Sequence, residues 1–267
     1  MDPKVKTGIS VAQKGVKVAR TGKKALGLKK KLPGEKKKAA QKAAAKAAKK
    51  AAKVALLMLN AKECPSGKMP VVIGAGWGGV LFHEACGHPL EASAISRELS
   101  CFSGKENEMI ASPIVSAVDD STIPNEWGSI DIDDEGNLGE KRVLIKNGKL
   151  VNFMIDDFNG RRMNREGNGS CRRQNYKYCP TSRMSNTYIA NGKSTPEEII
   201  KATKLGLYTV GFNGGSVDPT TGEFNFGCSE AYIVRDGKIC EPVKGATLIG
   251  KGHEILHNID MVANDLS

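Results

Sequence analysis

The sequence is short of aromatic residues, with seven Phe, five Tyr and two Trp among 267, and residues 1–48 contain none. A segment without aromatic bulk buries too little apolar area to offset its ordering entropy, so residues 1–48 are expected to be largely disordered or conditionally helical. No apolar run approaches the ~20 residues of a membrane-crossing helix, which excludes a membrane span. The longest apolar stretch near the N-terminus, Val54 to Leu59, is too short for a signal-peptide core and follows a long charged segment, so export by that route is not expected. Acidic residues are almost missing from positions 1–53, where only Asp2 and Glu35 face 18 Lys and Arg. That stretch carries +16 while the whole chain carries +11, so the rest sums to −5. Any nucleic-acid inference from charge therefore concerns the first fifth of the chain alone. The seven cysteines are odd in number and irregularly spaced, which fits reduced thiols in a cytoplasmic setting better than a disulfide framework.

What is present suits one domain of roughly 200 residues with an appendage. Residues 1–48 read as a basic low-complexity tail and 49–267 as the folded core. The Ala/Lys run from Lys36 to Leu59 has high helix propensity, with an apolar end suited to docking, and Cys64-Pro65-Ser66-Gly67 breaks it. A short strand, Met69 to Ile73, leads through a glycine-rich turn into an apolar helix, Val80 to about Gly87. Asn147-Gly148 and Asp236-Gly237 are type I′ turn signatures between strand-like runs. Thr195 or Ser194 caps a helix that opens with Pro196-Glu197-Glu198 and is expected to stop at Gly206. A further helix is expected from about His253 to Val262, and Gly211 to Gly222 reads as a long turn segment. The core is expected to be α+β and strand-rich.

All four histidines fall into two pairs, each with a glutamate after the first His. His83-Glu84-Ala85-Cys86-Gly87-His88 spaces its imidazoles five apart, and His253-Glu254-Ile255-Leu256-His257 is a literal H-E-x-x-H. Both types offer two zinc ligands and a carboxylate able to act as general base. Four residues apart on a helix, two side chains share a face; five apart, they diverge by roughly 140°. The first pair therefore needs a departure from α geometry. Gly87 can relax the backbone, Pro89 can push His88 out of the helical region, or a π-bulge can serve instead. The flanking strand, glycine turn and apolar helix favour the first pair as the metal site, and the second reads as a polar helix face. Cys228 is an in-chain candidate thiol ligand, with a small buried hydrophobe as the more ordinary role. Cys86 reads as core. Glu91 is evenly balanced between supporting the site and a surface charge. The Cys171-to-Tyr176 segment with Arg183 forms a basic cluster that either holds peptide groups or is simply solvated.

The run Gly67 to Gly74, leading into Gly76-Trp77-Gly78-Gly79-Val80-Leu81-Phe82 and the first histidine motif, resembles the TldD/PmbA family of metallopeptidases, on the TldD side. The likeness continues through Ile130 to Gly136, Arg183 to Tyr188, Ser229 to Tyr232, Pro242 to Gly250 and Asn264-Asp265-Leu266. It runs from about residue 50 to the end and leaves out residues 1–48. The resemblance implies a zinc-dependent peptidase acting on flexible or unfolded peptides, with His83 and His88 as zinc ligands and Glu84 activating a metal-bound water. It also implies a cytoplasmic assembly with a PmbA/TldE-like paralogue, or a homo-oligomer. The family's large first domain, and the glycine-rich tail whose cysteine is its third zinc ligand, are not within residues 1–267, so the core is expected to be incomplete. The alternative expectation is a catalytically incomplete fragment that binds partners or, through residues 1–48, non-specific nucleic acid.

Overall fold

The computed structural model describes residues 34–76 and 78–266, so the expectations for residues 1–33 lie outside the described residues. The chain divides into two units after Leu56. In the first, the Lys/Ala run forms most of helix α1 (Gly34–Leu59), as its alanine content dictates. Leu56 and Leu59 on this helix are both exposed. No helix among the described residues is long and apolar enough to cross a membrane.

The second unit is α+β and strand-rich. Its larger sheet has six strands in the order β1 (Lys62–Glu63), β11 (Lys238–Lys244), β10 (Glu223–Arg235), β9 (Leu205–Val217), β2 (Val71–Ile73), with β12 (Thr247–Lys251) also pairing with β10. β10 divides its length: Glu223 to Gly227 pairs with β12 and Ala231 to Arg235 with β11, with irregular register between. A four-stranded antiparallel sheet follows the order β5 (Lys149–Leu150), β4 (Lys141–Lys146), β3 (Ala117–Asp120), β8 (Asn186–Ile189). A small ribbon joins β6 (Cys171–Arg172) to β7 (Thr181–Ser182). The main core gathers Leu81, Phe82, Leu90, Phe102, Leu144, Met154 and Phe226; a smaller cluster holds Leu207, Ile233 and Val243.

Both expected hairpin turns form. Asn147 and Gly148 (φ 50° and 83°) join β4 to β5, and Asp236 and Gly237 (φ 47° and 73°) join β10 to β11. Positive φ at both central residues is what a type I′ turn requires, and the Asn-Gly and Asp-Gly pairs tolerate it. The helix at Pro196–Ala202 carries a full capping box between Thr195 and Glu198. It ends before Gly206, which lies inside β9, where a β-carbon would come 2.6 Å from the Pro70 carbonyl oxygen. Gly206 is therefore a close-approach residue of the β2–β9 pairing and not a helix stop. Most of the expected turn from Gly211 is likewise strand, since β9 continues to Val217. The last helix is only Gly252–His257.

One buried ion pair ties the four-stranded sheet to the segment behind the candidate site. Arg142 on β4 donates to Asp119 on β3 from Nη2 (2.6 Å) and Nε (3.2 Å), and both side chains are fully buried. The remaining guanidinium donors reach the carbonyls of Asn168 and Gly169 and the Ser185 hydroxyl. Asp119 also accepts from the Ser185 backbone N–H and the Thr187 hydroxyl, both at 2.7 Å. A buried charge pair is tolerable only with its hydrogen-bonding capacity filled, and here it is. The network fixes Ser185 and, through the chain, its neighbours Arg183 and Met184.

Candidate metal centre

The histidine segment begins as the short helix Gly78–Phe82, whose Leu81 and Phe82 enter the core. It then widens into a π-turn over His83–Gly87, closed by the His88 N–H donating to the His83 carbonyl. Closure at five residues instead of four returns position 88 over position 83, the correction that an H-E-x-x-x-H spacing demands. Two of the three routes offered by the sequence are not used. His88 has φ −55° and ψ −42°, and Gly87 has φ −65° and ψ −58°, so both stay helical. Pro89 does not expel His88 from the helical region; it occupies the second position of a 3-10 turn, His88–Leu90.

The turn is held from behind. Ala85, Cys86 and Gly87 are buried, while His83, Glu84 and His88 face outward and are half-buried. A β-carbon on Gly87 would fall 2.2 Å from the Met184 sulfur, so glycine here permits close packing and not backbone freedom. On another side Gly252 approaches the Ala85 carbonyl, where a β-carbon would come within 2.1 Å.

The outward side chains form a cluster in which one ligand atom each from His83, Glu84 and His88 lies within 4.8 Å of the others. The two imidazoles meet edge to face, centroids 5.0 Å apart. His88 Nε2 is 3.6 Å from a Glu84 carboxylate oxygen. Its other nitrogen, Nδ1, sits 3.0 Å from Glu91 Oε1. Glu91 is buried, and its second oxygen accepts from Arg183 Nη1 at 3.0 Å. A carboxylate that accepts a hydrogen bond from Nδ1–H leaves the Nε2 lone pair directed at the cluster and fixes the ring, the usual support of a metal-binding imidazole. The hydrogen bond to Glu91 raises the His88 pKa above its ordinary value. Burial, with the neighbouring His88 second, lowers that of His83, which keeps it a neutral potential ligand.

Two imidazole nitrogens with a carboxylate beside them suit a borderline-soft divalent cation such as zinc, held by His83 and His88 with Glu84 next to it. The second histidine pair is not part of it. His257 is exposed, and His253 is half-buried with a buried, unpartnered Nδ1 and a pKa lowered by desolvation. The expected solvated helix face therefore holds for His257 and not for His253. Cys228 stands outside the cluster on β10; burial pushes its thiol up to about 11. Cys86 is buried with its thiol raised by desolvation, as a core cysteine should be. Sequence reasoning left Glu91 undecided and did not link it to Arg183. The i, i+3 spacing from His88 is a weak signal for the first contact; 92 positions of separation give none for the second.

Residues 66–267 match the model of the PmbA/TldA metallopeptidase C-terminal domain. The chain is 47% identical over 213 residues to the metalloprotease TldD homolog of Buchnera aphidicola subsp. Schizaphis graminum, covering 80% of this chain and 44% of that protein. It is 49% identical over 210 residues to the metalloprotease TldD homolog of Haemophilus influenzae, covering 79% and 44% respectively. The fold matches crystalline TldE from Thermococcus kodakarensis with a TM-score of 0.71 at 24% identity, over 81% of this chain and 49% of that one. The chain thus spans less than half the length of the curated relatives it matches. With a domain model covering most of its length and two relatives near half-identical, the chain belongs to the PmbA/TldD metallopeptidase family, in which residues 66–267 correspond to the C-terminal domain.

Proposed function

We propose that this chain supplies the zinc centre of a cytoplasmic peptidase that hydrolyses flexible or unfolded peptides, together with a PmbA/TldE-like paralogue. Residues 49–267 are the peptidase core and residues 1–48 an added basic tail. The observation that carries this reading is the π-turn, which gathers His83, Glu84 and His88 into one outward cluster. The metalloprotease names of the relatives support the reaction class, and the TldE fold match supports the partner class. Seven unpaired cysteines suit the cytoplasm.

His83 and His88 would hold the ion. Zinc, when bound, supplies Lewis-acid polarisation of the scissile carbonyl. Glu84, adjacent to His83 and 3.6 Å from His88, takes a proton from the attacking water and returns it to the leaving amine. Glu91 holds the His88 ring and Arg183 holds Glu91. The test is zinc content and hydrolysis of an unstructured peptide by the chain, alone and with its paralogue. Glu84→Gln should retain zinc and lose roughly 10²–10⁴-fold in rate. Protein that binds no zinc in either form, or hydrolysis that survives the substitution, sinks the reading.

One observation favours a second activity for the tail and for the helix that runs on from it past residue 48. On α1, Lys38, Lys42, Lys46, Lys49 and Lys53 fall within an ~80° sector, all exposed, opposite a face of alanines. Alanine gives too little apolar depth for insertion into a bilayer, so a phosphate backbone fits this stripe better than a membrane. Non-specific DNA binding should weaken steeply with salt, with a log–log slope of about −4 to −5 for five phosphate contacts. Replacing Lys42, Lys46 and Lys49 by Glu should abolish it, and DNA affinity indifferent to salt or to these changes discards the idea.

A further inference from the structure

Beside the histidine cluster, β6, β7 and the loop between them enclose a surface cavity of about 450 Å³. Arg172, Arg173 and Arg183 line it with Gln174, Tyr178 and Thr181, and no carboxylate does. The three arginines are not equivalent. Arg183 is committed to Glu91, and Arg173 to Asp134, with Nε 3.2 Å from the carboxylate and Nη2 donating to the backbone carbonyl. Arg172 is exposed and makes no side-chain hydrogen bond or ion pair among the described residues. The cavity therefore carries one guanidinium beyond what its neighbours neutralise, with amide and phenol groups nearby to complete a polar site.

This cationic pocket is built on a fixed frame. Cys171 and Arg172 pair with Ser182 and Thr181, and the Cys171 N–H donates to Asp133 at 3.1 Å. Arg183 also connects it to the histidines, since this residue lines the cavity and its guanidinium donates to the Glu91 carboxylate that meets His88. Only the Arg183 and Glu91 side chains link the pocket to the His88 imidazole, so the cluster lies within reach of a few extended residues of a peptide held here. A planar guanidinium fork matches a carboxylate with two parallel hydrogen bonds. A long polyanion is a poorer fit, because the chain beyond residue 53 sums to −5 and repels it.

We propose that this arginine cavity is a substrate subsite that binds a peptide carboxylate and so sets which peptides are presented to the metal centre. The inference rests on the peptidase reading, and it names the substrate class for the same site. Arg172 is its specificity-determining residue. The carboxylate has two sources, the free C-terminus or an Asp or Glu side chain, and the same pocket chemistry accepts either.

The test measures binding without turnover. The full chain carrying Glu84→Gln, stripped of metal with chelator so that no ion can hold the carboxylate, is titrated into labelled unstructured peptides by fluorescence anisotropy. Four peptides are compared: free acid or amidated C-terminus, each with an internal Asp or Asn. Carboxylate-bearing peptides should bind about tenfold more tightly than the amidated Asn peptide. Adding Arg172→Gln should erase that preference and leave the amidated Asn peptide unchanged. Preference for the free acid identifies the C-terminus as the source, and preference for the Asp peptide identifies a side chain. Lys177→Gln, on the neighbouring exposed lysine, is the control for diffuse charge. Equal affinity for all four peptides overturns the subsite, as does a preference that Arg172→Gln leaves intact or that Lys177→Gln erases equally. Since hydrolysis is never read, carboxylate discrimination by a chain that fails the hydrolysis test would remove only the peptidase reading.

Discussion

Gly87 lies so close to Met184 that a β-carbon on it would fall 2.2 Å from the Met184 sulfur. Met184 is 4% exposed and its neighbour Ser185 is hydrogen-bonded to Asp119, so the methionine has little room to withdraw. Alanine is intrinsically the better helix former by about 1 kcal/mol, yet Gly87→Ala should destabilise the protein by about 1–3 kcal/mol through overpacking. It should also weaken zinc binding, because the displaced segment is the π-turn itself. Met184→Ala should cost about 2–5 kcal/mol alone and relieve the clash when combined with Gly87→Ala. Urea unfolding of the four proteins in the cycle measures the coupling; additive effects would show that Met184 does not constrain the turn.

Glu91 is expected to act on zinc through His88. Glu91→Gln keeps the shape but removes the charge that orients the ring, and leaves Arg183 without its carboxylate. Zinc affinity should fall about 10–100-fold, the usual cost of losing the carboxylate behind a ligating histidine. Competition against a chromophoric chelator measures this, and unchanged affinity would mean that the contact is incidental.

His83 and His88 should titrate on opposite sides of the ordinary value of 6.5 when the protein is metal-free. The Glu91 hydrogen bond favours the protonated form of His88, and burial disfavours that of His83. A raised folded-state pKa means that the His88 contribution to stability is complete below 6.5 and disappears as pH rises through the folded value. Zinc needs the unprotonated ring, so its affinity should fall as pH drops through that same window above 6.5. Imidazole resonances followed by NMR would decide it; two histidines titrating together at 6.5 contradict the assigned surroundings. In Glu91→Gln the His88 midpoint should move down.

The parts of this structure that were legible in sequence are those governed by local chemistry. Asn147-Gly148 and Asp236-Gly237 announce their turns because few other residue pairs accept positive φ twice. Thr195 and Glu198 announce a helix start, and the spacing of His83 and His88 announces that an α-helix alone cannot serve. The glycines were harder to read. Gly206 and Gly87 look like a stop and a hinge, but their roles are close approach to Pro70 and Met184, which only the folded chain brings near. Arg183 and Glu91 stand out singly, but their contact is silent for the same reason: a pairing across 92 positions has no periodicity to betray it.

Asp119 and Arg142 give the strongest stability prediction, because both are fully buried and each fills the other's charge. Asp119→Ala leaves a guanidinium in the interior with no counter-charge and strips the Ser185 N–H and Thr187 hydroxyl of their acceptor. The expected loss is about 3–5 kcal/mol, against well under 1 kcal/mol for removing the exposed partner in a surface pair such as Arg165–Glu106. The double variant Asp119→Ala, Arg142→Met should recover part of the loss, since an apolar side chain no longer requires a charge partner. Because the pair also fixes Ser185, the recovered stability should not restore the placement of Met184 and Arg183. Zinc affinity should therefore stay reduced in a double variant whose denaturation midpoint has risen. Chemical denaturation and zinc competition on the same samples separate the two effects, and full recovery of zinc affinity would show that this network stabilises the sheet without positioning the metal centre.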